Sequence, residues 1–239
     1  MKNILGICQD VAALVATQPP QDLFSPSSQQ EAVFLSLVKD TLDSLLRYGD
    51  WPELTREGYF VTRQGCRDYL IADFCPDFYC LLNNTVYIKD SSEKIIGAIT
   101  PEQWMQEKYL CCPSLNLKFK IQGGFIKFLT TPPQDLKIVF QYRSNATVLE
   151  GGKNFVGQEK PVVTSNTDIP IFDEFLVRKG LIWRWLKRNG MDYAEEYNEY
   201  EKNLRRYFAA DLAVGDISLT GNMFKSGLGE VNIHVATTD

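Results

Sequence analysis

The apolar residues of this chain change period twice, and that switch limits the folds open to it. From Ile4 to Val15 they fall at Ile4, Ile7, Cys8, Val11, Ala12 and Val15, one face of a short helix. A breaker stretch follows from Gln18 to Ser28, with Pro19, Pro20 and Pro26. Ser28 and Glu31 then form a capping box, each side chain meeting an orphan backbone N–H at a helix start. The helix behind it carries Val33, Leu37, Leu42, Leu45 and Leu46 and stops at Gly49, a natural left-handed C′ residue. Between 52 and 165 the period drops to two. Tyr59 and Val61 alternate with polar neighbours, as do Leu117, Phe119 and Ile121 with Lys118, Lys120 and Gln122. Gly123-Gly124 reads as a tight hairpin turn, returning through Phe125 to Leu129 and closing at Pro132-Pro133. Leu136, Ile138, Phe140 and Tyr142 make another strand. One helical turn interrupts: Thr100 caps, Pro101 stands at N1, Gln103 completes the box and Trp104 follows. Gly151-Gly152 and Lys160-Pro161 mark exposed loops.

The last third is helical again. Phe172, Phe175, Leu176, Ile182, Trp183 and Leu186 define one face, and Asn189-Gly190 ends it. Asp192 and Glu195 open a further helix with a capping box, and Tyr193, Tyr197, Tyr200, Leu204, Tyr207 and Phe208 share its apolar side. The short link makes an antiparallel αα-hairpin. After Phe208 the periodicity breaks. Ile217, Leu219, Met223, Phe224, Leu228, Val231, Ile233 and Val235 are more apolar residues than a solvated tail would carry. Two readings stand open: an extended arm that orders on a partner, or a frayed terminus or strands folded back on the core.

Charge and composition exclude several classes of function. With 239 residues, 44% hydrophobic and 23% charged, the chain is long enough for a core without staples. Its net charge of −5 lacks the footprint of a nucleic-acid binder. The one basic run, Arg178, Lys179, Arg184, Lys187 and Arg188, is followed at once by Glu195, Glu196, Glu199 and Glu201. These are either two solvated helix faces or the two halves of a head-to-tail contact between copies. No apolar run approaches the roughly 20 residues that span a bilayer. The start of the chain has no signal-peptide pattern, so reduced thiols in the cytosol are expected of Cys8, Cys66, Cys75, Cys80, Cys111 and Cys112.

A search for chemistry returns no catalytic residue, no cofactor and no metal. The one histidine, His234, lies in the least patterned segment, where no third group holds it for nucleophilic catalysis. Cys75 and Cys80 have no matching second pair for zinc apart from the adjacent Cys111-Cys112. Phosphate-loop and dinucleotide fingerprints are absent. Asp173/Glu174 and Glu195/Glu196 sit in first helical turns, where the helix dipole accounts for them. The unusual feature is aromatic content: 11 Tyr, 14 Phe and 4 Trp. Trp183 and Trp185, two apart on one helix, point in different directions. Either one packs inward while the other, taken as Trp185, anchors an interface, or both reach the core.

A set of these motifs, in this order, resembles the head–tail adaptor (connector) proteins of tailed bacteriophages, especially those of short-tailed phages and prophages. The matching residues begin with Ile7-Cys8-Gln9-Asp10-Val11, then Arg47-Tyr48-Gly49-Asp50-Trp51 with Leu54 and Arg56. Ala72-Asp73-Phe74, Pro76-Asp77-Phe78 and Thr100-Pro101 with Trp104 follow, then Ile121, Gly123, Phe128, Pro132-Pro133, Phe140 and Tyr142. The densest match is Thr167-Asp168, Pro170, Asp173-Glu174, Gly180-Leu181, Trp183-Arg184, Lys187 and Gly190 to Tyr197. The match spans roughly 4–208, and order and spacing together carry it. One departure is visible: the family often has a tryptophan just after the strand matching Phe140–Tyr142, where this chain has Asn145-Ala146.

The resemblance implies an α+β fold: an α-helical bundle of N- and C-terminal helices, an inserted small antiparallel β domain, and an extended C-terminal arm. The expected divisions are 1–51 and 166–210 for the bundle, 52–165 for the insert and 211–239 for the arm. It implies a virion structural protein, not an enzyme. Copies of the subunit, typically twelve, would form a homo-oligomeric ring beneath the portal protein, join it to a tail nozzle or tail-tube protein, and let DNA pass through the lumen without sequence-specific binding. It would stand at the head–tail junction of the virion, and in the host cytoplasm during assembly, with no membrane contact. The expected interface residues are Arg178, Arg184, Trp185, Lys187, Arg188, Glu195, Glu196 and Glu199, with Ile217, Leu219, Met223, Phe224, Leu228, Val231 and Ile233 of the arm. The alternatives are another virion part, such as a stopper or tail-tube protein, or a carbohydrate- or ligand-binding module.

Overall fold

A computed structural model describes residues 2–89, 91, 93–109, 116–151 and 157–214, the last six without side chains. The chain is mixed α and β. Among the described residues it has five α-helices and three small antiparallel sheets. Helices α1 (Ile4–Leu14) and α2 (Gln29–Tyr48) come first. Strands β1 (Thr55–Val61), β2 (Asp68–Leu70), β3 (Phe78–Leu81) and β4 (Tyr87–Ile88) follow. Then come α3 (Pro101–Tyr109), β5 (Phe119–Gln122), β6 (Phe125–Phe128) and β7 (Lys137–Ser144). Short strands β8 (Val148–Leu149), β9 (Glu159–Lys160) and β10 (Ile169–Pro170) lead into α4 (Glu174–Arg188) and α5 (Ala194–Val214).

Local chemistry sets the helix ends. Ser28 accepts from the Glu31 amide and Glu31 reaches back to the Ser28 amide, the expected box. The same reciprocal pair joins Thr100 and Gln103, but α3 runs for nine residues rather than one turn. Gly190 closes α4 with φ at 68°, the left-handed conformation that glycine adopts at least cost. Gly49 differs from expectation. Its backbone is extended, φ −168°, because the chain leaves α2 straight into Trp51 instead of turning back. At the start of α5 only half a box forms: Asp192 accepts from the Ala194 amide, and no bond from Glu195 returns.

One apolar core joins α1 and α2 to α4 and α5. It holds Ile4, Ile7, Val11, Phe34, Val38, Leu45, Trp51, Leu176, Leu181, Trp185, Tyr200 and Leu204. Helix α4 is central, packing on α1, α2 and α5. Gly180 marks its crossing with α2: a Cβ there would stand 2.7 Å from Thr41 Cγ2. A second core, from Phe60 to Tyr142, lies between two sheets. One sheet has the order β1-β7-β3, with β4 also on β7; the other is β2-β6-β5. Gly123 and Gly124, with φ of 62° and 78°, turn β5 into β6 as the sequence implies.

Three expectations for the β region change. In β1 the inward residues are Gly58 and Phe60, while Tyr59 and Val61 are exposed. Both alternating sets contain apolar residues, so pattern alone fixes no phase. The stretch 52–165 also divides. The sheet β10-β8-β9 is separate, and Val148 and Val163 pack into the helical core. Lys160 is a strand residue there, with its ammonium on buried Asp168, rather than part of an exposed loop. At the far end α5 continues to Val214, past the boundary set at 210. No helix among the described residues is long and apolar enough to cross a membrane.

Candidate interaction surface

Two polar keystones hold the body on which any surface is displayed. Trp51 is fully buried, its indole N–H donates to the Leu45 carbonyl at 2.6 Å, and Phe172, Tyr207 and Phe208 ring it at 4.8–5.0 Å. Beside it Arg143 from β7 donates to the Gly49 carbonyl and to Asp50 at 2.9 Å, tying the β region to the end of α2. The second keystone is Asp168. Its carboxylate accepts from Lys160 Nζ at 2.8 Å and from the Thr164 and Ser165 amides at 2.8 and 3.0 Å. Burial pushes this carboxyl up, but those hydrogen bonds outweigh it and hold it below the ordinary aspartate range. Its own carbonyl accepts from the Ile4 amide, so the loop also caps α1.

The expected interface residues on α4 and α5 meet different fates. Trp185 is buried and stacks on Phe34, centroids 4.4 Å apart, so it is a core residue and not a surface anchor. Its neighbour Trp183 is half-buried against Tyr193, Tyr197 and Tyr200, with the Arg184 guanidinium 4.2 Å from its ring. Arg184 is also taken inside the chain: it donates to the Gly180 carbonyl at 3.1 Å and to Ser44. Burial pushes its pKa down, with Tyr200 opposing. Lys179 Nζ bonds Glu196 at 3.0 Å and Glu199 at 2.6 Å. The hairpin therefore folds part of the acidic run onto the basic run of the same copy, which neither sequence reading foresaw. Arg178 is half-buried over Phe175, while Lys187, Arg188 and Glu195 are exposed. Ile217, Leu219, Met223, Phe224, Leu228, Val231 and Ile233 lie outside the described residues.

The β region carries a cationic groove that sequence reading missed. Helix α3 lies over the outer face of the β5–β6 hairpin, none of its residues fully buried. The groove between them, about 620 Å³, is lined by Arg67, Lys108, Lys120 and Lys127 with one carboxylate, Asp68. Lys120 Nζ stands 4.4 Å from the Trp104 ring centroid. Lys127 is 3.5 Å from Asp68 and directly opposite Lys120 across the two strands. The cations come from three separate segments, so no linear run announces them.

Among the described residues no group of three His, Cys, Asp or Glu side chains is placed to hold a metal ion. Cys8, Cys66, Cys75 and Cys80 are free thiols, and burial pushes Cys8 up to about 12, far from a reactive thiolate. No family model matches the chain, and no curated protein is significantly similar to it.

Proposed function

We propose that this chain is a head–tail adaptor subunit of a tailed bacteriophage. In this reading its helices form the bundle of a wedge-shaped body, the β region is an insert, and about twelve copies close by rotation into a ring. The ring stands beneath the portal and joins it to the tail nozzle or tail tube, with DNA passing through the lumen.

The observation that supports it most is where the resembling residues sit. Trp51 and Asp168, each from one of the resembling motifs, are the polar keystones of the helical core. Asp173 caps α4 through the Phe175 and Leu176 amides, and Gly180 sits at the helix crossing. Tyr142 donates to Asp77 at 2.8 Å in the β core. Residues whose order resembles the family are thus structural residues of the two cores in this chain, which supports the reading. At the family's tryptophan position, Ala146 is buried.

The reading is tested by co-expressing the chain with the portal protein of the same genome and imaging the product. The expected result is a symmetric ring seated on the portal, lost on deletion of 215–239 while the truncated chain keeps its fold. A chain that never binds the portal sinks the proposal.

A further inference from the structure

We infer that the groove between α3 and the β5–β6 hairpin receives the acidic start of α5 from a second copy of this chain. The inference deepens the ring reading by naming its side-to-side contact. Of the expected basic partner on α4, Lys179 and Arg184 are bonded within their own copy. The groove gathers four cations against one carboxylate in a chain of net charge −5. Lys120 and Lys127 face each other directly, an arrangement of like charges that costs stability unless an anion lies between. Neither Lys108 nor Lys120 is in an ion pair among the described residues. The start of α5 is opposite in sign: Asp192 and Glu195 are exposed and in no ion pair among the described residues, while Glu196 and Glu199 share Lys179. Because Lys120 covers a face of the Trp104 ring, that face is not open to a stacked base, which disfavours single-stranded nucleic acid as the occupant. Groove and helix start are different surfaces, so the contact is heterologous and either closes as a ring or runs on as a filament.

Two charge-reversal variants of the full chain test this, Lys108→Glu/Lys120→Glu and Glu195→Lys/Glu199→Lys. Lys108, Glu195 and Glu199 are exposed and Lys120 is half-buried, and circular dichroism checks that the fold is kept. If the groove variant misfolds, Lys108→Gln/Lys120→Gln replaces it. In sedimentation velocity at low salt, each variant alone is expected to self-associate at least tenfold more weakly than wild type. A 1:1 mixture pairs the intact groove of one with the intact helix start of the other, and the reversed groove with the reversed start, so association returns, and salt dissolves it. A mixture that associates no more strongly than either variant alone overturns the inference. So does an oligothymidylate bound by wild type and released by the groove variant, which would assign the groove to nucleic acid. Restored association in the mixture, from a chain that never binds the portal, would leave the contact standing and remove only the adaptor reading.

Discussion

The two cores are built in opposite ways. The helical core gathers residues from 4–54 and 148–208 and depends on a few polar keystones where distant segments meet. The β core comes from one continuous stretch, 60–142, and is held mainly by aromatic contacts such as Phe60 with Tyr69 and Phe74. A long-range core concentrates its weak points at the joints. A local aromatic core leaves its outer sheet face free to carry charge, and there the cationic groove lies.

The comparison breaks first at Trp51. Trp51→Ala should destabilise by about 3–5 kcal/mol, as large aromatic truncations do, and calorimetry should show the helical core melting at lower temperature. Trp185→Ala belongs in the same range. Trp183→Ala, half-buried, should cost clearly less, and equal losses would mean that the two rings are equally enclosed. Asp168→Ala leaves the Lys160 ammonium and two amides without their acceptor, a loss of about 3 kcal/mol by analogy with broken buried pairs, read by urea titration. Gly180→Ala should cost about 1–3 kcal/mol through overpacking against Thr41.

A pH profile separates the regions further. Hydrogen bonds from the Gln21 and Ser27 amides and the Ser27 hydroxyl depress Glu31 from 4.5 to about 2. A depressed carboxylate stabilises the fold above its unfolded pKa, so this contribution is present at neutral pH and fades as pH falls from about 4.5 toward about 2. Glu31→Gln should therefore melt lower than wild type at pH 7 and converge with it in acid. A constant gap across that window would contradict the assignment. The smallest expected effect is at the groove: Lys108→Gln/Lys120→Gln should leave the melting point almost unchanged, surface substitutions usually staying within about 0.5 kcal/mol.

What was legible in the sequence was local. The Ser28 and Thr100 boxes, the Gly123-Gly124 turn and the Asn189-Gly190 stop all arise from groups a few residues apart. The order of helix, strand and helix followed from the period. What was hidden needed distant partners. Asp168 is a lone acid in a polar stretch, and only the fold brings Lys160 and the start of α1 to it. Trp185 and Trp183 look alike until α2 covers one of them. The phase of β1 was ambiguous because its opposite faces hold Phe60 and Tyr59. The groove was unreadable because Arg67, Lys108, Lys120 and Lys127 are adjacent only in three dimensions.

The most direct test of the central claim is quantitative peptide mass spectrometry of purified phage particles from the strain whose genome encodes this chain. The account predicts this polypeptide in the particle at about the same copy number as the portal subunit, as matching ring symmetry would require. Particles that carry the portal protein and infect normally, yet contain none of this chain, would contradict it.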